Sequence, residues 1–349
     1  MAVSIKDIAQ LAGVSHSTVS RALRKSPLIS PETSERVRQI AEREGYTPSA
    51  LARGLVTNRS EAIGVVVTSI ADPFNGEVVA GIEEVANRHR YTVLLATSQA
   101  DPEREVSVVR SFQARRVEGI LVASSRVGGL HTPLLTKLRI PIVLLNNQHP
   151  SLFVHSVSCD NRSGAYLAAR HLIDLGHREI AYLGDAHGLH SDSERFEGYE
   201  KAMREAGYPV EERLVVRADG KVAGARLAAQ KLLAGNRPTA ICCYNDMSAL
   251  GVFAEAAARN LKIPEDLSIT GFDDIFCAPY LSSPLTTVRQ PMKELGRQAM
   301  EMMLALLRGE KTERALLIEG DLIVRGSTAK PREIYQAIVS GNDSDTRSS

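Results

Sequence analysis

From residue 61 onward the chain repeats one pattern. Short apolar runs, AIGVVV (62–67), YTVLLAT (91–97), GILVAS (119–124), IPIVLLN (140–146), EIAYLGD (179–185), AICCYN (240–245) and SITGFD (268–273), recur along it. Amphipathic helical stretches separate many of them, at 76–89, 103–115, 161–175, 194–206, 222–234 and 246–259. A strand that is apolar along its whole length must be covered on both faces. Strands of this kind alternating with helices form parallel sheets with helices on either side. The pattern therefore predicts an α/β body of about 270 residues, too large for one typical domain of this class. Two similar lobes, with a boundary near residue 160, are the natural division.

Residues 1–60 read differently. Ser4 is placed to cap a helix carrying Ile5, Ile8, Ala9 and Ala12 at helical spacing, stopped by Gly13. Ser15 can cap a second helix to about Leu23. Ser30-Pro31 opens a third, with Val37, Ile40 and Ala41 as its apolar stripe and an end near Gly45. The following TPSALARGLVTNRS (47–60) is a linker with a short helical pattern. Gly54 and its length make that helix marginal without support. The last residues, SGNDSDTRSS, are polar and predict a flexible tail.

Composition narrows the function. With 44% hydrophobic and 24% charged residues among 349, this is an ordinary globular composition. The net charge of +1 is unevenly placed, for residues 1–60 hold nine Lys/Arg against five Asp/Glu. A small basic head on a slightly acidic body points to an anionic partner for the head. No run approaches the roughly 18 apolar residues of a membrane span, and MAVSIKDIAQ has no apolar leader core. A cytoplasmic protein without membrane contact is expected. Cys159, Cys242, Cys243 and Cys277 show no C-x-x-C spacing. They read as reduced, mostly buried thiols, with no metal and no cofactor implied. No G-x-S-x-G, H-E-x-x-H, Walker A or G-x-G-x-x-G motif is present. The sequence thus offers no catalytic residues.

In open α/β sheets, ligands bind outside the C-terminal ends of the strands. Asn146-Asn147, Asp185, Asn245-Asp246 and Asp273-Asp274 fall there. Each could instead cap the following helix, and Asp246 in front of MSAL is the strongest case for a cap. Converging from two lobes, they would form a polar cleft for a hydroxyl-rich or amide-bearing small molecule. His187 and His190 in DAHGLHSDSERF read most simply as polar loop histidines, with ligand or metal contact as the alternative.

IKDIAQLAGVSHSTVSRAL has the layout of a helix-turn-helix, whose second helix enters the DNA major groove. That explains why VSHSTVSRAL (14–23) carries four hydroxyls and an arginine on a short helix. Short hydroxyls reach bases or phosphates without blocking approach. A plain three-helix bundle with a polar face is the other reading of the same residues.

Ten segments in order carry a resemblance to a known family. They are SIKDIAQLAGVSHSTVSRAL, ISPETSERVRQIAEREGYTPSALARGL, IGVVV, GIEEVANRHRYTVLLATSQADPERE, RRVEGILVAS, DNRSGAYLAARHLIDLGHREIAYLGD, RFEGYEKAMREAG, NDMSALG, IPEDLSITGFDDI and SPLTTVRQPMKELGRQA. Over about residues 3–328 the chain resembles the lactose/galactose repressor (LacI/GalR) family. The resemblance implies a helix-turn-helix domain at 1–48, a hinge helix at 49–60 and an effector-binding and dimerising body at 61–328. The body resembles periplasmic binding proteins, with an N-lobe at about 61–159 plus a return near 291–320, a C-lobe at about 160–290, and a flexible tail at 329–349.

Carried over by position, the resemblance implies DNA contacts by Ser15, His16, Ser17, Thr18 and Arg21, and by Ala50, Arg53 and Leu55 in the hinge. His16 and Ser17 fall where members differ and set base preference. Leu55 corresponds to a leucine that wedges into the minor groove. Effector contacts are implied for Phe74, Asn146, Ser191, Arg195, Asn245, Asp273 and Gln290. The chain departs from many members in having Ser49, Gly54 and Asn146, and in lacking an aromatic near Gly220. The expected protein is a homodimeric repressor of a pseudo-palindromic double-stranded DNA operator, modulated by a carbohydrate-like small molecule. A small-molecule-binding protein without a DNA-regulatory role is the alternative. The tail offers only Ile334, Tyr335, Ile338 and Val339 at helical spacing, too little for a tetramerising coiled coil.

Overall fold

The computed structural model describes residues 3–47, 59–123, 140–146, 155–235 and 238–332. The chain forms two compact units, Met1–Glu61 and Ala62–Ser349.

The first unit is three helices, α1 (Ile5–Ala12), α2 (His16–Leu23) and α3 (Pro31–Arg43). Each begins on a serine that satisfies an orphan backbone donor. Ser4 and Asp7 do this reciprocally: Asp7 N donates to Ser4 Oγ (3.4 Å), and Ser4 N donates to Asp7 Oδ2 (2.8 Å). Ser15 Oγ accepts from Thr18 N at 3.1 Å, and Ser30 Oγ from Thr33 N at 3.2 Å. Gly13 ends α1 at φ +64°, a left-handed turn that sets α2 across it. Ile8, Val19, Ala22 and Val37 are fully buried where the three stripes meet, with Tyr46 packed against them.

The second unit holds two six-stranded sheets. The first contains β1 (Ala62–Val67), β2 (Thr92–Thr97), β3 (Gly119–Ala123), β4 (Ile142–Leu145) and β5 (Ser156–Cys159). The second contains β6 (Ile180–Asp185), β7 (Val215–Ala218), β8 (Ala240–Cys243), β9 (Ser268–Asp273) and β10 (Thr286–Arg289). β11 (Ala315–Ile318) then joins the first sheet and β12 (Asp321–Ile323) the second. The orders are β11-β5-β4-β3-β1-β2 and β12-β10-β9-β8-β6-β7. All pairings are parallel except β10–β12.

Helices α4 (Pro73–Arg88), α5 (Pro102–Ala114) and α10 (Met292–Leu307) cover the first sheet. Helices α6 (Asn161–Asp174), α7 (His190–Glu205), α8 (Val222–Gly235) and α9 (Asp246–Ala258) cover the second. The chain thus passes between lobes three times, at Asp160, at Gln290-Pro291 and at Glu319-Gly320. Two of these crossings are joined by a hydrogen bond from Asp160 N to Ile318 O at 2.9 Å.

Two helix pairs cross closely enough to need glycine. A Cβ on Gly81 of α4 would stand 2.0 Å from Lys293 O of α10, and one on Gly198 of α7 would stand 2.2 Å from Arg162 O of α6. α7 begins at His190, four residues before the apolar periodicity marks it. Its first turn, HSDS, turns polar residues inward instead: Ser191 and Asp192 are buried. Asp246 does not cap α9. Asn245 does, its Oδ1 accepting from Ser248 N at 2.8 Å. Asp246 is fully buried as the first helical residue.

Candidate functional site

Two regions carry the side chains of interest. On α2, Ser15, His16, Ser17 and Arg21 are exposed and Thr18 is half-buried, while Val19 and Ala22 anchor the opposite face. Ser15 Oγ is a hub. Besides accepting from Thr18 N, it lies 2.8 Å from Ser17 Oγ and 2.9 Å from Thr18 Oγ1. The hydroxyls at the start of the helix are therefore held by their own cap. Arg24 is held too: Nε donates to Ser20 O and Nη2 to Ser20 Oγ. Ala50, Arg53 and Leu55 lie outside the described residues, as do Asn147 and the tail from 333.

The second region collects at the C-terminal ends of the C-lobe strands. Arg195 on α7 is its centre. It is 4% exposed, and its guanidinium carbon lies 3.7 Å from the Phe272 ring centroid and 4.6 Å from that of Tyr244. Cation–π contact on both rings holds it flat. Nε donates to Asn161 Oδ1 at 2.9 Å, and Nη1 donates to Tyr244 O. Ser191, one turn earlier, meets the Tyr244 hydroxyl at 3.0 Å. Asn245 Nδ2 donates to Gly220 O at 3.1 Å.

Asp273 ends β9 at φ +128°, buried, with Oδ1 accepting from Gln290 Nε2 at 2.6 Å. Burial pushes the Asp273 carboxyl well above the usual carboxylate range, against the pull of Arg195. Gln290 is buried on the second crossing, and its Oε1 has no hydrogen-bond partner among the described residues.

The N-lobe contributions are separate. Phe74, at the start of α4, packs into the N-lobe core, and its N–H is taken by Asp72 Oδ1 at 3.1 Å. Asn146 ends β4 at φ +48° and is buried, with Oδ1 accepting from Cys159 N at 3.3 Å. The structure thus joins Ser191 and Arg195 through Tyr244, and Asp273 to Gln290. Phe74 and Asn146 sit on the other lobe, at the start of α4 and the end of β4. A cavity of about 270 Å³ opens where the lobes meet, lined by Ile70–Pro73, Gly76 and Glu77 on one side and by Ile275 and Phe276 on the other.

Beneath the site, Asp246 Oδ1 accepts from Thr287 Oγ1 (2.6 Å) and Oδ2 from Ile275 N (2.9 Å). It pins the loop after Asp273. Burial raises its carboxyl to about 6, the two hydrogen bonds opposing the shift. Tyr244 and Asn161 were not singled out from sequence. Tyr244 lies within the apolar run AICCYN, directly before Asn245, and its aromatic ring was the available signal. Asn161 carried only the reading of a residue opening α6. His187 is exposed. His190 pairs with Glu194 at 3.4 Å. No group of three or more His, Cys, Asp or Glu among the described residues could hold a metal ion. Likewise, no helix among them is long and apolar enough to cross a membrane.

Residues 4–49 match the bacterial regulatory proteins of the lacI family, and residues 169–328 match a periplasmic binding protein-like domain. The HTH-type transcriptional repressor PurR of Vibrio cholerae is 35% identical over 94% of this chain and 98% of its own length. The lac repressor dimer bound to operator and the anti-inducer ONPF superposes with a TM-score of 0.85 at 26% identity, covering 94% of this chain and 100% of that one. A complex of the transcriptional regulator CelR with cellobiose gives a TM-score of 0.72 at 28% identity, over 93% and 99%.

A helix-turn-helix unit joined to a two-lobed, ligand-binding body defines a DNA-binding transcription regulator rather than an enzyme. This chain belongs to the LacI family. It is a transcriptional repressor whose affinity for operator DNA is modulated by a small molecule bound in its body.

Proposed function

We propose that Arg195, Asp273, Ser191, Asn245 and Gln290 hold one face of a neutral, polyhydroxylated, carbohydrate-like effector, and that Phe74 and Asn146 close on its other face. The observation that carries this is the clamped Arg195, whose Nε and Nη1 are spent on protein acceptors. That leaves Nη2 to donate to a ligand oxygen, and Gln290 Oε1, without a partner among the described residues, to accept from a ligand donor. A polyol supplies both an acceptor and a donor; a purely anionic ligand would leave Oε1 unmatched. The CelR–cellobiose complex supports a sugar as the class. A thermal-shift screen against sugars, sugar acids, phosphorylated sugars and nucleosides tests it. Stabilisation by a sugar, lost in Arg195→Ala, is expected. A response to nucleosides alone overturns the carbohydrate assignment.

Ser15, His16, Ser17, Thr18 and Arg21 are assigned to the operator half-site, and Ala50, Arg53 and Leu55 to its centre. Because Ser15 engages the Ser17 and Thr18 hydroxyls, His16 is the side chain at this helix start left to read a base edge. Exchanging His16 for Gln should change which half-site is selected from a random pool. An unchanged selection overturns that role. A homodimer is the assembly proposed, since Leu95 on edge strand β2, Phe276 and Tyr280 are exposed apolar surface on the body. Light scattering should give twice the chain mass; a monomer or tetramer overturns it.

A further inference from the structure

The first sheet is parallel around β1, so the N-terminal ends of β1, β2 and β3 share one edge: Ala62 stands beside Thr92, and Ile63 beside Gly119. That edge is where the chain enters the body from the DNA-binding unit. The loops leading into β2 and β3 place Arg90, Arg115 and Arg116 there, all exposed. Among the described residues none of the three side chains has an ion pair or hydrogen bond. Arg308, which closes α10, is close enough to Tyr91 to act on it electrostatically and so belongs to the same end.

Helix C-termini favour cations, and that accounts for arginines such as Arg88 and Arg308. Those two are also neutralised locally, by Glu84 and Glu310. It does not account for Arg90 and Arg116, which lie past the helix ends at φ +62° and +56° with no acid in contact. The concentration is also against the trend of the body, which carries a small acidic excess once the basic first sixty residues are set aside. Arg90, Arg115 and Arg116 outnumber Glu61 and Glu118 at this edge, and a basic edge that follows the DNA-binding unit in the chain suits the same polyanion. The connection of residues 44–61 keeps it at high effective concentration.

We infer that this edge of the N-lobe is a second, sequence-independent DNA contact, in which Arg90, Arg115 and Arg116 meet phosphates of the duplex flanking the half-sites. It rests on DNA binding by the head. It adds affinity and salt sensitivity but no base preference.

The test uses the full-length chain and a duplex it has itself selected from a random pool. The duplex is prepared as a core of about 20 base pairs and with flanks extending it to about 40. Binding is followed by anisotropy from low to moderate salt. The longer duplex should bind more tightly with a steeper salt slope, by about 0.9 for each added phosphate contact. The triple variant Arg90→Gln/Arg115→Gln/Arg116→Gln should lose that difference while keeping its binding to the short duplex. The triple Arg→Lys variant should keep it. Equal slopes on the two duplexes for the unmodified chain overturn the inference without recourse to any variant, as does a triple Gln variant that keeps the steeper slope. Failure to bind either duplex would instead strike at the DNA-binding reading itself.

Discussion

In the N-lobe, α10 lays Met292, Met300 and Met303 against β3–β5 beside Leu295 and Leu304, in an apolar cluster, with buried polar groups such as Asn75, Glu105 and Asn146 elsewhere in the lobe. In the C-lobe the same architecture encloses Asp192, Arg195, Asp246, Asp273 and His177, all buried. The polar groups there are tied into one another. Tyr182 donates to Asp192 Oδ1 at 2.8 Å, and Arg217 pairs with the other oxygen. His177 bonds Thr239, Ser268 and the carbonyl of Ala329. The contrast shows where each kind of cohesion belongs. A malleable apolar core tolerates exchange, whereas a buried polar network fixes the orientation of the side chains that must meet a ligand.

The lobes should behave alike in one respect, and it gives the largest effects. Gly81→Val and Gly198→Val each drive a side chain into a backbone carbonyl of the neighbouring helix. Both should lower the unfolding free energy by about 3–5 kcal/mol in urea titrations. If only one does, the two helix crossings are not equivalent.

Asp246→Ala has no N-lobe counterpart. It strands the Ile275 N–H and the Thr287 hydroxyl, and should cost about 2–4 kcal/mol while weakening effector binding through the displaced Asp273 loop. Unaltered stability would show that water replaces the carboxylate.

The pH dependence should also come from the C-lobe. Burial holds His177 below its usual 6.5, so its contribution to stability is present above that value and lost as pH falls through the lower folded value. Asp246 runs the other way. Its contribution is complete below 3.8 and lost as pH rises through about 6. His177→Gln should flatten the acid-side loss in urea midpoints measured across pH 4–8, and Asp246→Asn the loss on the other side. Profiles that do not move would place the titrating groups elsewhere. Smallest of all, Met300→Leu should change stability by less than about 1.5 kcal/mol, because it conserves volume in the N-lobe core. A larger loss would mean that this core is less adaptable than its methionines imply.

Sequence periodicity marked seven strands and most helices, since a run such as AIGVVV admits no other burial. It passed over β5 (SVSC), β7 (VVRA), β10 (TTVR), β11 (ALLI) and β12 (DLI), which are only three or four residues long. Their pairing is decided by the neighbouring strand, not by their own composition. The start of α7 was hidden for the same reason, because Ser191 and Asp192 are turned inward by partners distant in sequence. Asp246 looked like a cap since Asn and Asp are equivalent there in propensity. Only the presence of Thr287 and Ile275 beneath the helix separates the cap from the strut. The candidate site residues come from position in a family pattern, while the clamp of Tyr244, Phe272 and Asn161 around Arg195 is a property of three dimensions.

The returns of α10, β11 and β12 have a consequence for synthesis. The first five strands leave the ribosome long before the helix that covers β3–β5, since Met292–Leu307 is made after the entire C-lobe sheet except β12. A nascent N-lobe therefore waits through more than a hundred residues with that apolar face bare. The same fold makes its first-made half depend on a helix translated only after most of the C-lobe.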